Sequence, residues 1–268
     1  MPETDGTASS LFKAGKLAPA IEAANAALRK NPADLGARVL LAELLVFAAN
    51  LERADTILDA AAQIEPTVGV GVAEFRQLIR AAVARRQHRR EGRMPEFLGE
   101  PTPALRSCLA ALVALRSGDL EEAARSTAEA EATRPRVPGR VGDVPFDDFR
   151  DVDDLHAAFF EVLTTTGKYF WIPTERVESV EFHPPRRPRD LAWRRASVSV
   201  AAGPDGEVYL PVIYDWEKSD LADEFLLGRA TDWTAPESGP VLGIGQRVFL
   251  VGEEASSIMD LTTLRFGA

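Results

Sequence analysis

A 34-residue spacing in the first half of the chain constrains its fold more than any other feature. The segments GKLAPAIEAANAALRKNP (15–32), ANLERADTILDAAAQIEP (49–66) and GDLEEAARSTAEAEATRP (118–135) each carry an alanine and, 12 residues later, a proline. The first two segments begin 34 residues apart, which is the period of tetratricopeptide repeats. Each such repeat is a pair of helices. The spacing therefore predicts stacked helix pairs, with the third copy displaced by about one repeat.

Small side chains and a closing proline give these positions a physical role. Alanine lets two helix backbones approach where they cross, and proline ends a helix because it has no N–H for the hydrogen-bond ladder. The small residues fall into three matched positions: Ala20, Ala54 and Ala123; Ala27, Ala61 and Ala130; and the turn residues Gly15, Ala49 and Gly118. Apolar faces over 35–48 and 104–116 predict two first helices, and 70–90 predicts a long helix without a clear partner. An alanine-rich helical bundle is the alternative that this pattern leaves open.

After Pro138 an alternation of polar and apolar residues replaces the helical period. A short helix capped by an aspartate is predicted at 151–163. Strands are predicted at 168–173, 177–183, 196–202, 207–214, 247–253 and 258–265, with a hairpin turn at PDG (204–206). We therefore expect an α+β protein, in which TPR-like α-helical repeats over 1–138 precede a small β-rich domain over 139–268. The β-rich domain is expected to be a twisted sheet or a partly closed barrel.

Composition and charge exclude some kinds of partner and favour one kind of cellular compartment. The 268 residues carry a formal net charge of −10, so the surface repels phosphate backbones and no nucleic-acid partner is expected. Cys108 is the single cysteine, which excludes an intrachain disulfide and fits a reducing compartment. The N-terminal residues lack the basic and apolar stretches of a secretory signal, and no apolar run is long enough to predict a membrane span. We expect a cytoplasmic protein with no membrane partner.

No residues with catalytic or metal-binding spacing stand out. The aspartates between 143 and 154 are candidates for binding a hard cation, but the missing glycine and closing glutamate of an EF-hand favour an acidic loop with a helix cap. The histidines are isolated in the sequence and have no metal-ligand spacing to Cys108. We therefore expect no metal, no cofactor and no enzymatic activity. The arginine runs at 85–93 and 186–195 are expected to pair with acidic groups of the chain rather than with nucleic acid.

Five stretches of the second half form a recognisable block: FDDFRDVDD (146–154), TGKYFWIPTERVESVEFHPPRRPRDLAWRRA (166–196), EVYLPVIY (207–214), LGRATDWT (227–234) and GIGQRVFLVGEE (243–254). The block resembles the ImpE family, also called TagJ or SciE-type proteins, and helical repeats precede it in that family too. The resemblance implies a cytoplasmic, non-enzymatic accessory factor of bacterial type VI secretion. It implies the N-terminal helix of the small contractile-sheath subunit as the partner, and a connection with an AAA+ unfoldase that recycles the sheath.

Two faces are candidates for binding an amphipathic partner helix. The first helices of tetratricopeptide repeats line a concave side, where we expect Val39, Glu43, Val46, Phe47, Leu105, Cys108, Leu112 and Arg116. The second face lies on the β-rich half, at Trp171, Arg186, Arg187, Arg189, Trp193 and Trp233, with Trp216 as a further aromatic candidate. Core packing is the alternative for the apolar members of both sets. A dimerising scaffold without a peptide groove, with a homo-oligomer as its consequence, and a hydrolase with its site in the β-rich half also remain open.

Overall fold

The computed structural model describes residues 6–64, 69–215, 221–234 and 236–267. Pro66 and Trp216 lie outside the described residues. The helices are α1 (Ala8–Lys13), α2 (Leu17–Lys30), α3 (Leu35–Phe47), α4 (Leu51–Ile64), α5 (Gly69–Glu91), α6 (Pro103–Ser117), α7 (Leu120–Thr133) and the short α8 (Asp223–Leu226). None of the helices in these ranges combines the length and apolar character needed to cross a bilayer.

The helices pair as the 34-residue spacing predicts. α1 packs on α2, α3 on α4, and α6 on α7, which confirms TPR-like repeats. The alanines of the first matched position, Ala20, Ala54 and Ala123, are fully buried, as expected where helix backbones approach closely. The second matched position is buried at Ala61 and Ala130 but exposed at Ala27, so the equivalence of the copies is incomplete there.

Side-chain caps fix where three of the helices begin. Asp34 accepts a hydrogen bond from the backbone N–H of Ala37 at the start of α3, and Asp119 accepts one from Glu122 at the start of α7. Thr102 caps α6 in the same way. These contacts satisfy N–H groups that the first turn of a helix leaves without a partner.

The long helix α5 is confirmed, and its neighbour on one side is a sheet instead of a second helix. Phe75 of α5 meets Trp193 edge-on, with ring centroids 6.2 Å apart. Near its other end, Arg85 forms an ion pair with Glu161 of the sheet. α5 therefore packs on α4 on one side and on the sheet on another, and the third helix pair follows it in the chain.

Fourteen strands occur in the described residues. They are β1 (Glu96–Phe97), β2 (Gly139–Val141), β3 (Val144–Phe146), β4 (Phe149–Asp151), β5 (Phe159–Leu163), β6 (Tyr169–Pro173), β7 (Val177–Phe182), β8 (Trp193–Val200), β9 (Gly206–Pro211), β10 (Thr231–Thr234), β11 (Leu242–Gly245), β12 (Val248–Val251), β13 (Glu254–Ser257) and β14 (Thr263–Phe266). Nine form one sheet in the order β1-β6-β5-β9-β8-β7-β14-β2-β3, and the others form β13-β12-β4 and β10-β11. All pairs are antiparallel except β1 with β6. The hairpin predicted at PDG joins β8 to β9.

The helix predicted at 151–163 is wrong. Instead β4 ends at Asp151, a series of turns follows, and β5 begins at Phe159. The Asp151 carboxylate accepts from the N–H of Asp153 at 2.9 Å, and the Asp153 carboxylate accepts from the N–H of Leu155 at 2.9 Å. Such short side-chain-to-backbone bonds compete with helical hydrogen bonds and favour turns. The strand predicted at 258–265 is shorter than expected, because only β14 near its end is extended.

The nine-stranded sheet separates two hydrophobic cores. Along β5, Phe159 and Leu163 face the helices, whereas Phe160 and Val162 face the opposite side. This alternation follows from the two-residue period of a strand. One core therefore joins the sheet to the helical repeats, and the other lies between the sheet and the small β13-β12-β4 sheet.

Ala49 is the one matched turn residue that has a β-carbon in a backbone conformation that favours glycine. Its φ is 53°, in the left-handed region, where the corresponding turns have Gly15 and Gly118, each at a φ of 77°. A Cβ there costs roughly 1 kcal/mol. We therefore predict that Ala49→Gly raises the free energy of unfolding by about 0.5–1 kcal/mol in urea titrations. Ala48→Gly, at a φ of −79°, should not raise it, and equal effects at both positions would contradict the argument.

Candidate functional site

Most of the expected concave-face residues are covered by the protein's own sheet. Val46 and Phe47 belong to the same buried core as Trp193 and Tyr209 of the sheet. Phe47 also packs on Phe12, with ring centroids 5.3 Å apart. A partner helix therefore has no access to these two side chains in this conformation, which corrects the expectation that they line an open groove.

The candidates on α6 are also interior, with one exception. Leu105, Cys108 and Leu112 are buried, and burial raises the pKa of the Cys108 thiol to about 12. Arg116 is exposed, and its guanidinium donates to the backbone carbonyl of His88 at 2.8 Å. Leu105, Cys108 and Leu112 therefore pack inside this part of the protein and are closed to a partner helix.

An open hollow remains beside α3. We call it the α3 hollow; it encloses about 460 Å³ and is lined by Leu35, Gly36, Val39, Leu40, Glu43, Ala61, Arg186 and Arg187. Val39 and Glu43 come from the expected groove, and Arg186 and Arg187 come from the expected face of the β-rich half. The structure therefore brings parts of the two predicted sets together at one place.

A tightly folded segment carries the two arginines to the hollow. The Asp190 carboxylate accepts from the backbone N–H groups of Arg186 at 2.8 Å and Arg187 at 3.2 Å. A 3₁₀ helix, Pro188–Leu191, follows and packs against α3. Arg189 is buried there, with its guanidinium 4.5 Å from the centre of the Phe75 ring. These contacts leave Arg186 and Arg187 exposed at the rim.

Glu43 is the unusual group in the wall of the hollow. Its side chain is only 3% exposed, and the 3₁₀ helix that carries Arg189 packs against α3. Burial raises the pKa of Glu43 to about 7, against the opposing effect of the Arg189 and Arg187 guanidinium groups. Its Oε1 atom has no hydrogen-bond partner among the described residues.

A second polar group lies deeper, between α5 and the sheet. Glu161 of β5 accepts two hydrogen bonds from Arg85, each 2.8 Å, and pairs with Arg247 and Tyr169. Arg247 also pairs with Asp151 at 2.5 Å. We call these five residues the Glu161 cluster. Burial opposes ionisation of Glu161, but Arg85 and Arg247 hold its pKa well below the usual range.

The Glu161 cluster has the geometry of a structural clamp. The cavity lined by Glu161 and Tyr169 encloses about 10 Å³, which is room for at most one water molecule. His156 contacts Asp153 at 2.8 Å, but no serine or cysteine nucleophile accompanies this pair among the contacts described. His183 contacts Ser197 at 3.0 Å on the sheet, away from the aspartates. The hydrolase interpretation therefore gains no support.

The aspartates between 143 and 154 are largely used in ion pairs. Asp147 pairs with Arg136, Asp148 with Arg134, and Asp154 with Arg150. In the described part of the chain, no group of three or more histidine, cysteine or acidic residues could hold a metal ion. The acidic run therefore consists of turn-forming and salt-bridging carboxylates, and the predicted helix cap is absent because the helix is.

The other candidates on the β-rich half differ in position. Trp171, Trp193 and Arg189 are 1%, 5% and 5% exposed, so the expectation of a surface position is wrong for them. They are buried because the helices cover that side of the sheet. Trp233 is half-buried beside Tyr214, with ring centroids 6.0 Å apart. It is not among the residues that line the α3 hollow.

Sequence reasoning missed the Glu161 cluster, although one signal was present. Glu161 interrupts the apolar strand FFEVL, and Arg247 precedes the apolar run VFLV. A single charge within a buried strand requires an opposite charge nearby, because burying an unpaired ion costs several kcal/mol. This reasoning predicts that such pairs exist but not which of several arginines supplies the partner.

We predict that Glu161→Gln lowers the free energy of unfolding by about 3–5 kcal/mol, because two buried guanidinium groups lose their counter-charge. The measurement is chemical denaturation at neutral pH. Glu207→Gln is the matched control, since Glu207 pairs with Arg195 at 3.3 Å but is half exposed. Loss of this ion pair should lower the free energy of unfolding by less than about 1 kcal/mol. A Glu161→Gln effect as small as the control would contradict the clamp.

The raised pKa of Glu43 predicts a pH-dependent stability. A folded-state pKa above the unfolded value of 4.5 gives stability that is present below pH 4.5 and lost as pH rises to about 7. The Glu43→Gln variant has no carboxyl group to ionise at this position, so it does not lose stability over this pH range. Relative to the unmodified protein, the variant should therefore be more stable at about pH 8 than at about pH 5. Denaturation at both pH values measures this, and Glu22→Gln, at an exposed position on α2, should show no such difference.

Comparison with known proteins finds a matching family profile in the second half of the chain and similar proteins along nearly its whole length. The sequence profile of the ImpE protein family matches residues 143–265, and a tetratricopeptide repeat profile matches 11–70. The type VI secretion system accessory component TagJ of Pseudomonas aeruginosa is 29% identical over 259 residues, which cover 97% of this chain and 90% of that protein. The crystal structure of protein VPA1032 from Vibrio parahaemolyticus superposes with a TM-score of 0.91, at 28% identity and 97% coverage of both chains. Residues 143–265 therefore carry an ImpE family domain, and over nearly its whole length the chain is similar to TagJ.

Proposed function

We propose that this chain is a non-enzymatic accessory protein of a type VI secretion system that acts as an adaptor in the cytoplasm. The support is its similarity along nearly the whole length to the accessory component TagJ, together with helical repeats of a kind that commonly binds other proteins. The Glu161 cluster contributes to this role by holding the two halves together, not by chemistry.

The α3 hollow is the observation that carries the adaptor role. Leu35, Val39 and Leu40 are half-buried and lie on one side of α3, which leaves apolar surface for another segment. Helix-in-groove recognition uses such a surface, because an amphipathic helix buries its apolar face there. We propose that the N-terminal helix of the small contractile-sheath subunit occupies the hollow. A link to the AAA+ unfoldase that recycles the sheath is part of the same proposal, on the family resemblance alone.

Gly36 offers a way to close the hollow without disturbing the fold. A Cβ at this position would meet only Oδ1 of Asp34, at 3.4 Å, so larger side chains would extend into the open space. We predict that Gly36→Phe weakens binding of a labelled peptide of the sheath-subunit helix by on the order of tenfold or more. Fluorescence anisotropy of the full chain with the peptide measures this.

Gly36→Ala is the matched control. Alanine adds one methyl group and favours the helix by up to about 1 kcal/mol, so it should keep the affinity within about twofold. Failure of the unmodified chain to bind either the peptide or the whole small sheath subunit would eliminate the sheath proposal. Equal affinities for Gly36→Phe and Gly36→Ala would show that the helix binds elsewhere.

The dimerising scaffold makes a different prediction. A scaffold would self-associate, so its mass by light scattering would rise with concentration, whereas an adaptor with a free α3 hollow needs no second copy. The same measurement on Gly36→Phe shows whether the hollow receives another chain of this protein.

A further inference from the structure

The arginine-rich segment is only partly neutralised by the rest of the chain. Arg195 pairs with Glu207 at 3.3 Å, and Arg189 lies 3.8 Å from Glu74. Arg194 is buried and donates to the backbone carbonyl of Ile258. Arg186 and Arg187 are exposed, and neither forms an ion pair within the ranges that the structure describes. Two positive charges therefore remain at one edge of the α3 hollow, in a chain whose net charge is −10.

The floor of the hollow differs from this rim. It is apolar at Leu35, Val39 and Leu40, and it contains one polar atom that lacks a partner, Oε1 of Glu43. This atom is shielded from solvent, so Glu43 belongs to the wall of the hollow and its Oε1 is not offered to a ligand. The apolar floor and the cationic rim together define the chemistry of the segment that fits.

Resting on the proposed function, we infer that the segment bound in the α3 hollow is an acidic amphipathic helix of a protein partner. Its apolar face lies on Leu35, Val39 and Leu40. Carboxylates on its flank pair with Arg186 and Arg187, since guanidinium and carboxylate form two parallel hydrogen bonds.

Charge complementarity distinguishes this partner from the alternatives. A basic helix would meet two exposed arginines that form no ion pair among the described residues, and like charges at an interface suppress binding. An extended acidic peptide would satisfy the arginines but would leave the apolar floor exposed. A nucleic acid would be repelled by the bulk of the acidic surface. An acidic helix satisfies the rim and the floor at once.

The test uses the full chain and two synthetic amphipathic peptides that share one apolar face. One peptide carries glutamates on its polar flank, and the other carries lysines at the same positions. We expect the glutamate peptide to bind at least about tenfold more tightly at low salt, and the difference to shrink as ionic strength rises. In the Arg186→Glu/Arg187→Glu variant the preference should reverse.

The control is Arg136→Glu/Arg140→Glu, which changes the net charge equally at exposed positions that do not line the hollow. It should preserve the preference for the glutamate peptide. Equal binding of both peptides to the unmodified chain, or an equal loss in the two double variants, would overturn the inference. Binding of the sheath-subunit peptide distinguishes failure of this inference from failure of the proposed function. If the peptide binds the unmodified chain and both double variants alike, the adaptor role stands and the acidic-helix inference is wrong. If it binds none of them, the adaptor role itself is wrong.

Discussion

The pairing of Glu161 with Arg85 and Arg247 sets the position of the sheet on the helices. Glu161 belongs to β5 and Arg85 to α5, and Arg247 follows β11. The three charges compensate one another only when these parts of the chain are correctly aligned, and a misaligned sheet would leave a buried ion without a partner. Trp171 stacks on Phe159 beside them, with ring centroids 3.9 Å apart. Buried pairs add little net stability compared with apolar packing, so we assign the cluster mainly to specifying one arrangement.

This arrangement determines which surface is left for a partner. Because the sheet covers Val46, Phe47 and Phe75, the concave face of the helical repeats contributes to folding and is closed to ligands over most of its length. The margin beside α3 stays open, where Val39 and Glu43 lie near the arginine-rich segment. The β-rich half therefore has two effects: it fills the groove that repeats of this type usually present, and it adds a charged rim to what remains.

The sequence was sufficient to predict those elements whose cause is local. The turns at Gly15, Ala49 and Gly118 and the PDG hairpin each depend on residues within a few positions of one another, and the structure has them. The prediction of a helix at 151–163 is wrong because, in a sequence, an aspartate that forms a turn looks the same as one that caps a helix. The identity of the groove could not be predicted, since an apolar helix face looks the same whether a ligand or the chain's own sheet covers it.

The arginine runs show where sequence reasoning stops and geometry is needed. Both runs were expected to pair within the chain, and Arg85 and Arg86 do pair with Glu161 and Glu52. In the second run, a buried arginine must find a partner in order to fold, whereas an exposed one remains solvated at little cost. Burial therefore sorts the run into arginines that hold the structure and arginines that remain available. Arg186 and Arg187 fall in the second class because Asp190 binds their backbone N–H groups and not their guanidinium groups.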